Sequence, residues 1–313
     1  MHFVFELLFF CRIVEISGST NGTEISKRVI NGRHVKAGDY PWAVSIIGVN
    51  PLFGTVTYCG ATVLDDRWMV TAAHCFRKGK DRSKLMDPEN WHVQAGNPSI
   101  ELKPYTMGGE MTSKWFEFLS HVVTRYEKKI WNGKLEKIVL HPKFSAGEME
   151  NDIALVRLAK KLPLGEKYIT AAYLPPAENP YDWPKVHSSC ALVGWGCKSG
   201  EKFPSSEAQV ISLKVIPNAL CYAMYGGLVA LSDEHEFCAS PYKSGSGICP
   251  GDSGSGLVCG IDEKRYVVGV ATATHAKHPE TFPGLFTRIS FFTEWIKKQM
   301  TQFNETFKHT QAC

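Results

Sequence analysis

Short apolar runs separated by turn-forming residues fill most of the chain, and this rhythm restricts the fold more than any other feature. The runs are rich in Val, Ile and Thr, and Gly, Pro, Asn and Asp stand between them. Short β-branched runs with frequent turn signals are typical of an all-β sandwich or barrel rather than of alternating strands and helices. The sequence therefore predicts an all-β protein with strands near 43–48, 58–64, 68–73, 91–95, 137–140, 152–158, 190–195, 209–215, 256–259, 266–272 and 285–289.

The end of the chain breaks this rhythm. Apolar residues recur there every three or four positions, at Phe292, Trp295, Ile296, Met300 and Phe303. This spacing predicts an amphipathic C-terminal helix at about 290–303, with Ser290 as its N-cap. Two interruptions of the strand pattern, 76–90 and 103–133, are predicted to be long loops.

Composition argues against several classes of function. The chain carries 35 Lys and Arg against 31 Asp and Glu, and a net charge of +4 is too small to indicate a nucleic-acid partner or an anionic membrane surface. It has no zinc-finger spacing and no Gly-rich phosphate loop followed by Lys, so we expect no cofactor and no metal. The ten cysteines include no CxxC pair, which indicates disulfides and an oxidising compartment.

The N-terminus has features of export. An apolar run at 3–10 is too short to span a bilayer but has the length of a signal-peptide core, although Glu6 interrupts it. We therefore expect a signal peptide at 1–19, no membrane span, and a secreted, extracellular protein. In that compartment Asn21 and Asn304 become candidate glycosylation sites, because each begins an Asn-x-Thr sequon.

A glycine-rich stretch at 245–256 gives the first indication of chemistry. A serine between glycines, such as Ser253, can lie on a tight turn with its hydroxyl exposed and the neighbouring N–H groups free to bind an anion. Acyl transfer requires this geometry. A Gly/Ser-rich surface loop explains the segment equally well when it is taken alone.

Two further motifs place a histidine and an aspartate at the ends of predicted strands. His74 follows an apolar run in Thr-Ala-Ala-His-Cys, and Asp152 begins another in Asn-Asp-Ile-Ala-Leu. A serine hydroxyl becomes a nucleophile at neutral pH when an imidazole accepts its proton, and the imidazole needs a buried carboxylate to fix its tautomer. Each residue alone has a structural explanation, as a core histidine, a strand-capping aspartate or a turn serine. Together they indicate a catalytic triad.

From Val29 to the C-terminal helix, the sequence resembles secreted serine proteases of the chymotrypsin and trypsin family. The resemblance implies two packed six-stranded antiparallel β-barrels, at about 29–162 and 185–289, with a C-terminal α-helix. It implies that His74 is the general base and acid, Asp152 its orienting carboxylate and Ser253 the nucleophile. The backbone N–H groups of Gly251 and Ser253 would form the oxyanion hole.

The same resemblance implies activation by cleavage after Arg28. The segment 20–28 is then an activation propeptide, and 29–313 is the serine protease domain. The freed ammonium of Val29 is expected to pair with Asp252, so the uncut chain is expected to be largely inactive, because a buried carboxylate without its partner is unfavourable. The implied partners are protein or peptide substrates, an activating protease and protein inhibitors.

Three disulfides also follow from the resemblance: Cys59–Cys75, Cys190–Cys259 and Cys221–Cys238. Cys249 lacks the partner that the family usually supplies, because 276–282 contains no cysteine. Cys197 is an additional cysteine in a loop that the family fold brings near the active site, and we hypothesise a Cys197–Cys249 bridge. Cys313 is left over, either free or linked to another chain.

The positions that select substrate depart from the family pattern. Gly247, six residues before Ser253, stands where an aspartate would select Lys or Arg, so trypsin-like cleavage is not expected. The usual Ser-Trp-Gly wall is replaced, and a glycine follows the next loop: Thr272, Ala273, Thr274 and Gly284. We expect an unfilled pocket base and a narrowed mouth, hence an apolar P1 residue, small to medium before large aromatic. The Thr272 hydroxyl is expected to support Asp152.

Two functions remain in view. The first is a secreted serine endopeptidase, made as a zymogen, that hydrolyses peptide bonds through an acyl-enzyme. The alternative is a catalytically attenuated serine-protease homologue that acts as a binding or regulatory protein, with the altered wall at 272–274 serving a partner. The complete set of His74, Asp152, Ser253 and Gly251 favours the enzyme, because a pure binder needs none of these residues.

Overall fold

The computed structural model describes residues 32–52, 54–77, 84–100, 131–165, 167–197, 205–229, 231–241 and 246–310, with side chains up to Phe303. These residues form thirteen strands and two α-helices. The first seven strands are β1 Arg33–His34, β2 Ala43–Val49, β3 Val56–Val63, β4 Trp68–Thr71, β5 Trp91–Ala95, β6 Trp131–Leu140 and β7 Ala154–Leu158. The remaining elements are β8 Ser189–Gly194, β9 Gln209–Ile216, α1 Asn218–Met224, β10 Glu236–Pro241, β11 Gly256–Ile261, β12 Lys264–Ala273, β13 Gly284–Arg288 and α2 Ile289–Thr310.

Six strands of the first half close into an antiparallel barrel in the order β2-β3-β4-β7-β6-β5. β5 pairs with β2, so that His92 lies opposite Ile47 and no edge is left open in this ring. The inward side chains form the core, where Ile46, Trp68 and Leu155 are at most 1% exposed. Burial of such large apolar side chains drives closure of the barrel.

A second six-stranded antiparallel barrel follows the order β9-β10-β13-β12-β11-β8, and β8 closes the ring by pairing with β9. β1 adds to its outside through Arg33 opposite Val210. Leu213, Phe237 and Phe286 are at most 1% exposed in its core, and the rings of Phe237 and Phe286 are stacked with centroids 5.5 Å apart. The predicted fold class of two barrels and a C-terminal helix is confirmed.

The C-terminal helix α2 packs its apolar stripe on the first barrel. Phe292 and Ile296 are buried there, and the ring of Phe303 lies edge-on to Trp68 with centroids 5.8 Å apart. The expected N-cap role of Ser290 is wrong, because the helix begins at Ile289 and the Ser290 hydroxyl donates to the carbonyl oxygen of Pro180 at 2.6 Å. The hydroxyl therefore ties the helix to the connection between the barrels.

Three strands differ from the sequence expectation, of which β1, only two residues long, was not predicted. β6 starts at Trp131 rather than near residue 137, because its first half pairs with β5 although it carries few apolar residues. β10 was not predicted, since Glu236–Pro241 lacks clear alternation and ends in proline. Several predictions concern residues outside the described ranges: Cys11, Asn21, Arg28, Val29, most of the 103–133 loop, the Asn304 side chain and Cys313.

Candidate active site

His74 lies at the exit of β4, on the 3-10 helix Ala73–Phe76. Two contacts fix this turn against β3: the Thr71 hydroxyl donates to the Gly60 carbonyl at 2.7 Å, and Cys75 is bonded to Cys59. The imidazole is only 14% exposed. One edge of the ring is thus held against the protein.

Asp152 lies two residues before the start of β7 and is fully buried. Its Oδ1 accepts the backbone N–H of His74 at 2.8 Å, and its Oδ2 lies 2.6 Å from His74 Nδ1. Because an ionised carboxylate can only accept, Nδ1 carries the proton and Nε2 is left as the acceptor. Asn151, at φ 51°, makes the left-handed turn that aims Asp152 at His74. The two residues are brought together as the triad requires.

A pair of threonines lies behind Asp152. The Thr287 hydroxyl donates to the main-chain carbonyl of Asp152 at 3.0 Å and lies 3.0 Å from the Thr272 hydroxyl. Thr272 therefore supports Asp152 only through Thr287, rather than by a direct bond to the carboxylate as its position suggested. The sequence pointed to Thr272 and missed Thr287. The one feature that could have indicated Thr287 is its hydroxyl on β13, a largely apolar strand directly before α2.

Ser253 lies on the glycine turn that precedes β11. Gly251 at φ 104° and Gly254 at φ 79° give this turn a backbone path that L-residues rarely adopt. The Ser253 carbonyl accepts the Gly60 N–H at 2.8 Å, and the sulfur of Cys75 lies 4.0 Å from the same oxygen. The turn of the second barrel therefore lies against β3 and against the 3-10 helix that carries His74.

The contact between the two barrels depends on missing side chains. A Cβ on Gly60 would collide with the Ser255 hydroxyl, and one on Gly256 would collide with the hydroxyl of Thr62. Small residues at these positions let β3 and the turn approach backbone to backbone. This close approach places the turn that carries Ser253 against the segment of the first barrel that carries His74.

The proposed oxyanion donors have free N–H groups. In the described part of the chain, neither Gly251 nor Ser253 donates its backbone N–H to a backbone or side-chain acceptor, whereas Asp252 and Gly254 between and beside them do. Two unpaired donors on a strained glycine turn form an anion-binding concavity. The arrangement can hold the negative oxygen that develops during acyl transfer.

Asp252 is enclosed on the other side of this turn. Its carboxylate is 2% exposed and accepts the N–H groups of Gly196 at 2.8 Å and Cys249 at 2.9 Å. Burial raises the pKa of Asp252 to about 6, although these two hydrogen bonds act in the opposite direction. A Cβ on Gly194 or Gly196 would collide with the carboxylate, so glycine is required at both positions.

The described residues contain four disulfides: Cys59–Cys75, Cys190–Cys259, Cys197–Cys249 and Cys221–Cys238. They include the hypothesised Cys197–Cys249 bridge, whose Cα atoms are 5.5 Å apart. This bridge joins the loop after β8 to the segment that leads to Ser253. It lies next to the Asp252 carboxylate through the N–H of Cys249.

The two glycines of the expected pocket base, Gly247 and Gly284, are closely packed against neighbouring atoms. Gly247 is buried against the backbone of the loop at 275–282: a Cβ on Gly247 would collide with the Pro279 carbonyl and lie 3.0 Å from the Glu280 nitrogen. Gly284 faces the Ile248 side chain, whose Cδ1 would lie 2.6 Å from an added Cβ. Both glycines accommodate neighbouring atoms. Sequence reasoning missed Pro279 and Glu280 because they belong to an irregular loop without periodicity.

Internal contacts shape the 275–282 loop. The His275 ring stacks on Phe282 with centroids 4.1 Å apart, and its Nδ1 accepts the N–H of His278 at 3.0 Å. At the end of the loop, the Tyr225 hydroxyl donates to the Pro283 carbonyl at 2.6 Å, and burial raises the pKa of Tyr225 to about 12. Thr274 and Ala273 lie at the start of the loop and are half-buried. The wall and the loop thus form one packed unit over Gly247.

A second carboxylate with a raised pKa is influenced by Asp152. Glu236, which is partly buried, is opposite Thr287 in the β10–β13 pair, and its Oε2 accepts the Ser232 N–H at 3.1 Å. Burial, with a smaller contribution from the carboxylates of Glu150 and Asp152, raises the pKa of Glu236 to about 7. Sequence reasoning did not identify this group, because its burial depends on the unpredicted strand β10.

Metal-binding clusters and membrane-spanning helices are both absent from the described ranges. No three His, Cys, Asp or Glu side chains lie close enough together there to hold a metal ion. No helix among the same residues combines the length and apolar character that crossing a membrane requires.

Comparison with known proteins identifies the family. The Trypsin family model matches residues 29–106 and 112–296. Transmembrane protease serine 9 of Rattus norvegicus is 29% identical over 287 residues, which cover 91% of this chain and 23% of the relative. Transmembrane protease serine 7 of Mus musculus is 28% identical over 287 residues, which cover 90% of this chain and 29% of the relative. The chain spans less than a third of either relative's length. Because the family match covers most of the chain itself, the chain belongs to the trypsin family of serine proteases.

Proposed function

We propose that the chain is a serine endopeptidase that hydrolyses peptide bonds through an acyl-enzyme. The observation that carries this proposal is the pair of short bonds from His74 to the buried carboxylate of Asp152, beside a glycine turn that presents Ser253. Protein or peptide chains are the substrates. No cofactor is required, because the three side chains and two N–H groups supply every proton and charge that the reaction needs.

The reaction begins when Ser253 Oγ attacks the carbonyl carbon of the scissile bond while His74 Nε2 takes its proton. The C=O bond opens to an oxyanion, which the N–H groups of Gly251 and Ser253 stabilise; one such donor contributes about 3 kcal/mol to lowering the barrier. His74 then gives its proton to the leaving amine as the C–N bond breaks, and an ester on Ser253 remains. Water attacks this ester with His74 again as base, which releases the acid product and restores Ser253.

Activation is proposed to follow cleavage after Arg28 by another protease. The new ammonium of Val29 would pair with Asp252, whose pKa of about 6 is that of a buried carboxylate without a cationic partner. An added cation would lower that pKa and keep the carboxylate charged. In this proposal 1–19 is a signal peptide, 20–28 the propeptide and 29–313 the protease domain of a secreted zymogen, with glycans at Asn21 and Asn304 and protein inhibitors as further partners.

The P1 preference is proposed to be apolar and, within that class, small. The base position Gly247 carries no carboxylate to bind Lys or Arg, and the backbone of Pro279 and Glu280 packs on it. The preference for small over medium residues sharpens the sequence expectation. A P1-scanning peptide library tests it: we expect the highest kcat/KM for Ala or Val, and best cleavage after Arg, Lys or Phe would refute the proposal.

The second candidate is a binding or regulatory protein with attenuated catalysis. One observation favours it, namely the contact between the 275–282 loop and Gly247, which restricts the space where a substrate side chain would enter. A partner would then be held by the loop surface and by main-chain pairing to β12. In this case Ser253 would be present, but the protein would not hydrolyse peptide substrates.

A fluorophosphonate probe separates the two candidates. We expect the chain cut after Arg28 to be labelled at Ser253, and the Ser253→Ala and His74→Ala variants to remain unlabelled. Labelling that persists in His74→Ala would show that the probe does not report the triad. A folded, correctly cut chain that is not labelled would leave the binding protein as the better proposal.

A further inference from the structure

The Cys197–Cys249 bridge joins the two segments that hold the Asp252 carboxylate. Asp252 Oδ1 accepts the N–H of Gly196, which precedes Cys197, and Oδ2 accepts the N–H of Cys249 itself. A third bond runs between the segments, because the Cys197 N–H donates to the Pro250 carbonyl at 3.0 Å. The covalent bridge and three hydrogen bonds thus surround one carboxylate.

These contacts also set the position of the oxyanion donors. Gly251 follows Pro250 directly, and a Cβ on Gly251 would lie 3.0 Å from the Gly196 Cα and 3.2 Å from the Trp195 carbonyl oxygen. The Asp252 N–H donates back to the Cys249 carbonyl at 2.9 Å, which closes the turn that presents Ser253. Every contact in this set lies within or between 195–197 and 249–252, the two segments that the bridge joins.

We propose that the Cys197–Cys249 disulfide is a positioning element that keeps the Gly251 and Ser253 N–H donors aligned before the chain is cut after Arg28. A bridge lowers the entropy of alternative loop conformations, and the glycine turn has many of them available. The uncut chain then reacts slowly at Ser253 instead of being inert, and the ammonium of Val29 adds a second anchor at Asp252. The catalytic part of this inference rests on the proposed function; the ordering of the loop does not.

Hydrogen exchange of the uncut chain tests the ordering directly. Arg28→Gln blocks the cut, and Cys197→Ser with Cys249→Ser removes the bridge in that background. We expect backbone exchange in the peptide 246–256 to become at least about tenfold faster without the bridge, because local opening controls exchange. Cleavage after Arg28, in a bridge-free chain that retains Arg28, should slow this exchange again. Equal rates with and without the bridge would overturn the proposal.

A matched variant separates this effect from general loosening of the second barrel. Cys221→Ser with Cys238→Ser removes a different disulfide of that barrel, between α1 and β10. In the Arg28→Gln background, exchange in 246–256 should stay within about twofold of the parent. An equal acceleration in both variants would assign the effect to overall stability and overturn the proposal.

Graded reduction gives the same comparison if the serine variant does not fold. Cys197 is half-buried, whereas the other seven bonded cysteines are at most 6% exposed, so dithiothreitol should reduce Cys197–Cys249 first. Peptide mapping identifies the fraction in which only this bridge is open, and its exchange is then measured. An unchanged exchange rate of the peptide 246–256 in that fraction would overturn the proposal, just as an unchanged rate in the serine variant would.

Fluorophosphonate labelling completes the test and keeps the two proposals separate. Arg28→Gln should be labelled slowly, and loss of the bridge should slow labelling at least about tenfold further. If neither this variant nor the cut wild type is labelled while exchange still depends on the bridge, the proposed protease activity fails and the bridge keeps its role. If labelling of Arg28→Gln is unaffected by bridge loss, the positioning role is refuted.

Discussion

The two sides of Ser253 are held by different forces. On the His74 side, three polar groups are joined by bonds of 2.6 to 3.0 Å that run through the Asp152 carboxylate and carbonyl. On the Gly247 side, Gly247 and Gly284 have no side chains, and steric contact with the Pro279 backbone and the Ile248 side chain sets the shape. Polar bonding requires particular residue types, whereas steric contact requires only that some backbone passes nearby. The residues proposed for catalysis can therefore be recognised from their types in the sequence, whereas the shape of the substrate pocket can be recognised only from the fold.

The largest effect should come from breaking the polar side. Asp152→Asn replaces an acceptor by an amide that can donate to His74 Nδ1, so the imidazole takes the wrong tautomer for accepting the Ser253 proton. We expect kcat to fall about 10⁴-fold, the loss seen when the orienting carboxylate of such triads is neutralised, with KM little changed. Steady-state kinetics of the cut chain measure this, with exposed Glu178→Gln as the control. A loss below about tenfold would refute the assigned role of Asp152.

A smaller loss should follow when the enclosure of Asp252 is disturbed. Gly196→Ala places a methyl group against the Asp252 carboxylate, so the turn must shift and carry Gly251 and Ser253 with it. We expect kcat to fall about 100-fold or more, since an oxyanion donor acts mainly in the transition state. Gly147→Ala is the matched control, because no atom lies within 4 Å of its Cβ position. Equal activities of the two variants would contradict this account.

The steric side should resist conversion to a trypsin-like pocket. Gly247→Asp adds a side chain where the Pro279 carbonyl already lies and buries a charge, so we expect the free energy of unfolding to fall by about 1–3 kcal/mol. No cleavage after Arg should appear. Chemical unfolding and a P1-Arg peptide measure the two effects, with Gly147→Asp as control. New Arg cleavage at normal stability would show that the 275–282 loop gives way easily.

The smallest effect concerns the carboxylate behind the polar side. Because the pKa of Glu236 is raised to about 7 from an ordinary 4.5, the folded state binds a proton that the unfolded state has lost. This contribution to stability falls as pH rises from about 4.5 to 7. Glu236→Gln should therefore increase the free energy of unfolding by roughly 2 kcal/mol at pH 8 and change it little at pH 4.

Urea unfolding at the two pH values measures this difference. Asp252 also has a raised pKa, but it is present in both proteins and cancels. Glu234→Gln is the control, because the Glu234 side chain is 58% exposed and its carboxylate lies 3.8 Å from the ring of the adjacent His235. A stability gain that is the same at pH 4 and pH 8 would show that Glu236 is not the titrating group.

Sequence and structure agree best where one residue type is required. The barrels could be predicted because β-branched alternation reports burial on a pleated strand, and the pairing of His74 with Asp152 because an imidazole base needs a carboxylate to fix its tautomer. The packing of Gly247 against Pro279 and Glu280 could not be predicted, since the path of these two residues depends on tertiary contacts of an irregular loop. Thr287 escaped notice for a similar reason: its bond to Asp152 joins residues 135 positions apart.

The close approach of Gly60 to Ser253 makes the proposed catalytic centre a junction between two barrels, and Val258, Val267 and Val270 of the second barrel pack with the core of the first. His74 and Asp152 belong to the first barrel, and Ser253 belongs to the second. A small rotation of one barrel against the other would separate nucleophile from base while the strand pairing within each barrel stays intact. Hydrolysis therefore depends on how the two barrels are aligned. On heating, we expect hydrolysis to stop at a lower temperature than the one at which circular dichroism shows the loss of β-structure.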